Sequence, residues 1–519
     1  MARIDDVRLR PPAKGSESEE SSDRDGSIGR STAVGTFQNL AAQAVALVTG
    51  FATTIFLTRE LGPDLYGEYS VTFGIVMWIE IVVVSLLGST TVRLVAETDD
   101  WKGASSSLAQ IQLVISLVAA ALLLVGARMI SAGLNSPGLA PYLRLFAVEI
   151  PLFALGRVHR STLMGRRAFR QAAIVTGVYW LSRLGLMLLL VGLGLSIAGA
   201  ILANIAAWGG QLIAARVFVR PALLGRPALG IPLRRIAGYA LPLALNSMGM
   251  LLVTKGDLLI VKAAGLAPGA TGFYSAANDL AMVPVSYLVG SFTSLLLATL
   301  THMWENSQCE GAQSMARRAL RLTLCLLPFA GLAAGSASEV ICLIYGNSYR
   351  PASGLFALLI FAAVGYGVVA VAAQTMTARG LPRLVLVSSV PMVAVSVTAY
   401  PILTPRFGAL GTAVGRTSAT ALGAVMLVGV MTRTCEVRLP LATVWRICLT
   451  TAMAYAVSSV WRTSGGLAIL ELILISGAIV GFLFLLGELT EQDLRFALSL
   501  LRTRRCEADL NERTQSWTD

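Results

Sequence analysis

The sequence predicts an all-α integral membrane protein of about fourteen transmembrane helices. Three observations predict it. The 519 residues are 55% hydrophobic and only 13% charged, with mean hydropathy +0.70, whereas soluble domains carry about 25% charge. Fourteen apolar stretches run from about residue 35 to residue 487 with short connections between them; each approaches the ~20 residues that cross a bilayer as a helix. Runs such as IVVVSLLG (81–88) and VAAALLLVG (118–126) lack the alternation of a membrane β-strand. The helix is then the spanning structure that satisfies its own backbone in lipid.

Residues 1–30 carry the polar run SESEESSDRDGS. They are too poor in apolar groups to bury a core, so a disordered cytoplasmic tail is expected. The first apolar stretch starts late and is too long for a signal-peptide core. Asp23-Arg24-Asp25 has the D-x-D pattern of metal-dependent glycosyltransferases, but with no accompanying sheet domain it reads as tail charge. Six spans follow, at 36–57, 69–91, 107–127, 139–160, 171–193 and 196–218, forming a unit over 31–235. Six more, at 237–261, 273–298, 320–344, 354–378, 384–404 and 408–431, form a second unit over 236–435. Spans 443–461 and 466–487 fill 436–489 as an appended pair. In the final segment, 490–519, Thr490-Glu491-Gln492-Asp493 looks like a helix start. Leu494, Leu498 and Leu501 recur at helical spacing before Arg502, Arg504 and Arg505. A short amphipathic helix on the inner membrane surface is expected there.

The net charge of +12 is mainly a topology signal. With a cytoplasmic N-terminus, the loops after even-numbered spans hold most of the Lys and Arg. Arg157, Arg160, Arg166, Arg167 and Arg170 belong to one such loop, and Arg216, Arg220, Arg226, Arg234 and Arg235 to another. The opposite loops hold only Arg59, Arg128, Lys262, Arg350, Arg406 and Arg462. This positive-inside bias places both termini in the cytoplasm and argues against nucleic acid as a partner. Six scattered cysteines imply no disulfide framework, and two histidines, His159 and His302, imply no metal site. No G-x-x-x-x-G-K-[ST] loop occurs, and no cofactor is expected. Work done by the chain would draw on an ion gradient, the membrane potential or consumption of product.

The two six-helix units share an internal repeat. LGPDLYGEYS (61–70) matches LAPGATGFYS (266–275) at Leu61/Leu266, Pro63/Pro268, Gly67/Gly272, Tyr69/Tyr274 and Ser70/Ser275. LMGRRAFR (163–170) matches MTARGLPR (376–383) more weakly. An even number of helices per copy gives both copies one orientation, with an axis along the membrane normal. Parallel repeats of this kind build a central site between two halves.

The stretch Arg59-Glu60-Leu61-Gly62-Pro63-Asp64-Leu65-Tyr66-Gly67-Glu68-Tyr69, followed by Arg93-Leu94-Val95-Ala96-Glu97, resembles the first-loop signature of polysaccharide flippases. Lys255-Gly256-Asp257-Leu258-Leu259-Ile260 and Gly272-Phe273-Tyr274-Ser275-Ala276-Ala277 are similar to the corresponding second-half stretch. The resemblance is to the polysaccharide transporter branch of the MOP flippase superfamily, which includes O-antigen (Wzx-type) flippases and is related to MATE exporters. It covers about residues 35–487. It implies two lobes around a cavity open alternately to either side, and a lipid-linked oligosaccharide carried from the cytoplasmic to the outer leaflet of a bacterial inner membrane. Membrane lipids and a polysaccharide polymerase or export machinery are the implied partners.

Ionisable residues inside spans default to functional candidates. Arg183, Lys255 and Arg416 are candidates to face the cavity and attract a diphosphate; the competing reading pairs each with a buried acid that locks helices together. Lys255 and Asp257, two residues apart, do not share a helix face. Glu80, Asp257 and Asp279 are candidates to bind a coupling cation or proton, or to form structural ion pairs. Arg144 lies near a span end, where it can snorkel. Asn39, Gln43, Asn204, Gln211, Asn246 and Asn278 give either interhelical hydrogen bonds or a sugar path. The loop 157–170 either collects anionic headgroups or simply sets topology. Gly331-x-x-x-Gly335 and Gly411-x-x-x-Gly415 read as close-packing sites. Two other functions compete. A MATE-like exporter usually has twelve helices. A glycosyltransferase, polymerase or ligase needs a sizeable outward loop, and no outward loop here much exceeds about ten residues.

Overall fold

The computed structural model describes residues 18–85, 88–98, 100–166, 168–223, 249–438, 440–461 and 466–489, and among these the regular structure is helical throughout. The elements are α1 (Ser18–Ser85), α2 (Gly88–Glu97), α3 (Trp101–Gly133), α4 (Leu139–Phe146), α5 (Glu149–Gly165), α6 (Phe169–Leu190), α7 (Ser196–Phe218), α8 (249–263), α9 (Ala270–Glu305), α10 (Cys309–Leu324), α11 (Leu327–Gly335), α12 (Ala337–Tyr345), α13 (Ser353–Ala378), α14 (Pro382–Thr434), α15 (Leu441–Val460) and α16 (Gly466–Leu485). Asn39, Gln43 and Asn246, the loop residues Arg167, Arg226, Arg234 and Arg235, Cys506 and the helix expected after Thr490 lie outside the described residues or side chains.

Nine helical stretches among the described residues are long and apolar enough to cross a membrane. Three of them, Ala44–Val84, Phe169–Phe218 and Pro382–Thr434, have 41, 50 and 53 residues. At about 1.5 Å per residue each provides two of the expected crossings. The reversals fall on Gly62 (φ 68°), Gly194 (φ 87°) and Gly408 (φ 63°). Positive φ carries a steric penalty for residues with a Cβ, so these glycines let the chain turn back within one residue. In α14 the two arms are antiparallel: Thr404 Oγ1 lies 2.7 Å from Thr412 Oγ1, and a Cβ on Gly415 would lie 3.2 Å from that of Ala399. The residues of the expected first loop are therefore mostly helical, and the turn shrinks to Gly62-Pro63.

Two expected spans are broken. The fourth consists of α4 and α5, and the ninth of α10, α11 and α12. Helix α1 begins at Ser18, inside the segment expected to be a disordered tail. Helix α3 starts on Asp100, whose side chain accepts from Gly103 N at 2.9 Å. Both predicted glycine pairs are close-packing sites. A Cβ on Gly331 would sit 2.6 Å from Thr451 O, and one on Gly335 would meet Ser458 Oγ; together they seat the appended helix α15 on α11. A Cβ on Gly411 would meet Leu403 O across the α14 hairpin. One continuous apolar core runs from Leu57 to Val437 through both six-helix units, so the units meet rather than stand apart. No disulfide joins the cysteines among the described residues.

Candidate functional site at the lobe boundary

The two copies of the repeated segment pack against each other. A Cβ on Gly67 would lie 2.7 Å from Gly272 N, and one on Gly272 would meet Pro63 O. Equivalent residues touching is the contact that two copies related by a two-fold axis make. Only glycine admits backbone this close. Around it the lobes are tied at the same end of the bundle. Tyr66 Oη donates to Asp279 Oδ2 at 2.8 Å. Lys262 Nζ lies 3.9 Å from Glu68 Oε1. Arg59 donates to Leu343 O and Ile344 O at 2.9 Å, and Asn135 Nδ2 to Ala263 O at 2.9 Å. The protein is closed at this end.

The three cationic candidates separate. Arg416 is 1% exposed. Its Nη1 donates to Asp257 Oδ2 at 2.5 Å and to Asn278 Oδ1 at 2.6 Å, and Tyr274 Oη donates to the same Asp257 oxygen at 2.7 Å. Arg416 and Asp257 thus form a sealed pair, which corrects the expectation that Arg416 faces a cavity. The reason is local: α9 presents Asn278 and Tyr274 beside the pair, so Arg416 Nη1 and the Asp257 carboxylate are satisfied by protein groups, while the buried Arg416 Nε has no partner. Lys255 points elsewhere, as its spacing from Asp257 requires. Its Nζ lies 3.8 Å from Asp279 Oδ1, and both side chains are 23% exposed. Arg183 is half-buried, 5.5 Å from the Trp180 ring centre and 5.9 Å from that of Phe73. Tyr69 and Glu149 flank it. Its charge reaches Tyr287 on α9 of the second lobe, and its buried Nε has no protein partner. Arg183 and Lys255 are thus partly exposed cations, Lys255 in a loose pair and Arg183 with its enclosed Nε unpartnered.

Of the acids, Glu80 is buried at 5% exposure and adjoins Glu149, which is fully buried. Glu149 Oε1 accepts from Asn204 Nδ2 at 2.7 Å, and Asn204 Oδ1 accepts from Tyr179 Oη at 3.3 Å. Asn204 and Asn278 thus make interhelical hydrogen bonds. Arg144 is exposed, consistent with a snorkelling end position. No group of three or more His, Cys, Asp or Glu among the described residues is arranged to hold a metal.

Sequence reasoning placed Arg157 in a topology-setting loop. The structure puts it inside α5, where it is the exposed position in a helix otherwise buried or half-buried, within electrostatic reach of Glu80. The signal was present: a cation eight residues beyond Glu149, still within helical spacing. Tyr66 and Tyr69 were read as motif letters; their contacts with Asp279 and Arg183 depend on how helices meet. Two apolar hollows lie apart from these residues: one of about 520 Å³ between α8 and α14, and one of about 300 Å³ between α15 and α16.

A family model described as polysaccharide biosynthesis protein matches residues 56–354. No curated protein sequence matches the chain. Among solved structures, the chain is similar to a lipid II flippase MurJ in an inward closed conformation, with TM-score 0.70 and 14% identity over 89% of this chain and 99% of that one. It is also similar to an inward-facing multidrug resistance MATE family transporter of the MOP superfamily, with TM-score 0.57 and 14% identity over 80% and 98% of the two chains. A third similar structure is a MOP superfamily transporter from Pyrococcus furiosus, with TM-score 0.53 and 15% identity over 80% and 96%. These likenesses establish the fold, and the matched model covers more than half of the sequence. The chain belongs to the polysaccharide biosynthesis protein family.

Proposed function

We propose that this protein flips a polyprenyl-diphosphate-linked oligosaccharide from the cytoplasmic to the outer leaflet of a bacterial inner membrane, for lipopolysaccharide or exopolysaccharide synthesis. One observation carries the reading: Arg183 and Lys255 are partly exposed cations where two lobes tied at one end meet. A diphosphate-linked sugar cannot enter hydrocarbon without losing its hydration. A cationic passage replaces that water while the isoprenoid stays in the bilayer. Arg157, exposed on α5, extends the cationic set. Arg416 and Asp257 lock α8 to α14 and take no cargo.

The closed end is the outer one on the positive-inside orientation, so the described state receives cargo from the cytoplasmic side. Alternating access opens the Gly67–Gly272 contact and seals the other end. The chain lacks an ATP-binding loop, and Glu80 and Asp279 are the acids left to couple an ion or proton to that motion. A polymerase or export machinery takes the product.

Deletion of the gene tests this. Lipid-linked intermediates of full length should accumulate, protected from membrane-impermeant reagents on the outer face. Missing or shortened intermediates would identify an enzyme instead. Altered drug resistance with normal intermediates would identify a small-molecule exporter.

A further inference from the structure

We propose that Asp279 is a positioning residue that sets occupancy of Lys255 against closure of the lobes; the role of Lys255 in this rests on the reading above. The geometry is specific. Two polar groups on α8, Lys255 and Asp257, and two on α9, Asn278 and Asp279, are sorted by the helical twist into two clusters. Asp257 and Asn278 turn to Arg416, where the ion pair is 1–2% exposed. Lys255 and Asp279 turn to the boundary, where each side chain is 23% exposed. The first cluster is sealed. The second is open, and it reaches across the lobes.

Asp279 has two oxygens and three neighbours. Oδ2 accepts from Tyr66 of the opposite lobe at 2.8 Å. Oδ1 faces Lys255 Nζ at 3.8 Å and accepts from Asn278 Nδ2 at 3.2 Å. At 3.8 Å the Lys255 pair is loose, and water competes for it. An entering anion takes Lys255 at little loss to the protein. It then leaves Asp279 beside a second negative charge with no cation between them. That repulsion is relieved when the lobes part and water reaches both anions. The same carboxylate holds the inter-lobe hydrogen bond, so relief and opening are one movement. By linkage, whatever loosens the Tyr66–Asp279 contact tightens anion binding at Lys255.

The test uses the full-length protein in lipid nanodiscs, with its reactive cysteines replaced. Spin labels are placed at Asp64→Cys and Ala267→Cys, both exposed and on opposite lobes, and inorganic diphosphate is the probe. Adding diphosphate should lengthen the inter-label distance. Tyr66→Phe should lengthen it without diphosphate and tighten diphosphate binding about tenfold, the size of one hydrogen bond to a charged group. Asp279→Asn retains an acceptor for Tyr66 but removes the competing charge. It should bind diphosphate more tightly while the distance stops responding, and Asp279→Glu should restore the response. Lys255→Ala should abolish both binding and response. Diphosphate that binds without moving the labels, or that binds equally to wild type and Lys255→Ala, overturns the proposal. Neither result bears on leaflet transfer, which the deletion assay reads separately.

Discussion

At the scale of single residues, two intramembrane cations, Arg416 on α14 and Arg183 on α6, have opposite physical fates. Arg416 is surrounded by Asp257, Asn278 and Tyr274, so its charge is already neutralised by the protein. Removing it strands the Asp257 carboxylate in a site that excludes water. Arg416→Ala should lower stability by about 3–5 kcal/mol, read by denaturant or thermal unfolding in detergent. Adding Asp257→Asn should recover much of that loss, because the stranded charge is gone. Arg183 behaves otherwise. It lies over Trp180 and is half-buried, with no carboxylate among the described residues in an ion pair with it, so Arg183→Ala should leave the melting temperature within a few degrees while reducing leaflet transfer at least about tenfold. Arg183→Lys keeps the charge but loses the planar fork, and its transfer rate should fall between the two.

At the scale of elements, small residues decide which helices touch. Gly272 lies against Pro63 O and Gly67, with no room for a Cβ. Gly272→Val should hold the lobes apart at that end. Thiol labelling of Thr271→Cys should then rise, and transfer should stall with the protein still folded. Gly335 seats α15 through Ser458 and Tyr455. Gly335→Leu should instead destabilise the protein by about 1–3 kcal/mol through overpacking, with labelling at Thr271→Cys unchanged. The two substitutions are chemically alike and differ only in whether the contact they break is between lobes or within one body.

For the whole molecule, the claim is directional. One end is closed by Tyr66–Asp279, Lys262–Glu68 and the paired glycines, while the basic residues concentrate at the other. Trp101, with Arg166 4.0 Å from its ring centre, marks that basic interface, where aromatic and cationic side chains anchor. A cysteine at Arg166 should react with an impermeant thiol reagent only after cells are opened. A cysteine at Asn135 should react in intact spheroplasts. The reverse pattern would invert the assigned transport direction without altering the fold.

Much of the fold was legible because lipid simplifies the code. A long apolar run must be a helix, and the basic residues order the loops. The matched letters around Gly67 and Gly272 marked two segments that the fold brings into contact, and the spacing of Lys255 from Asp257 already required separate partners. Arg157 was missed because a span boundary cannot be drawn to the residue from hydropathy alone.

The chain by itself determined what is expensive: which charges are buried in hydrocarbon and therefore need partners. Only the tertiary structure decided which partner each charge has, because that depends on how helices distant in sequence rotate and approach. Arg416 was enclosed and Lys255 left open by the same two neighbouring helices, a distinction of a few ångströms that no one-dimensional pattern carries.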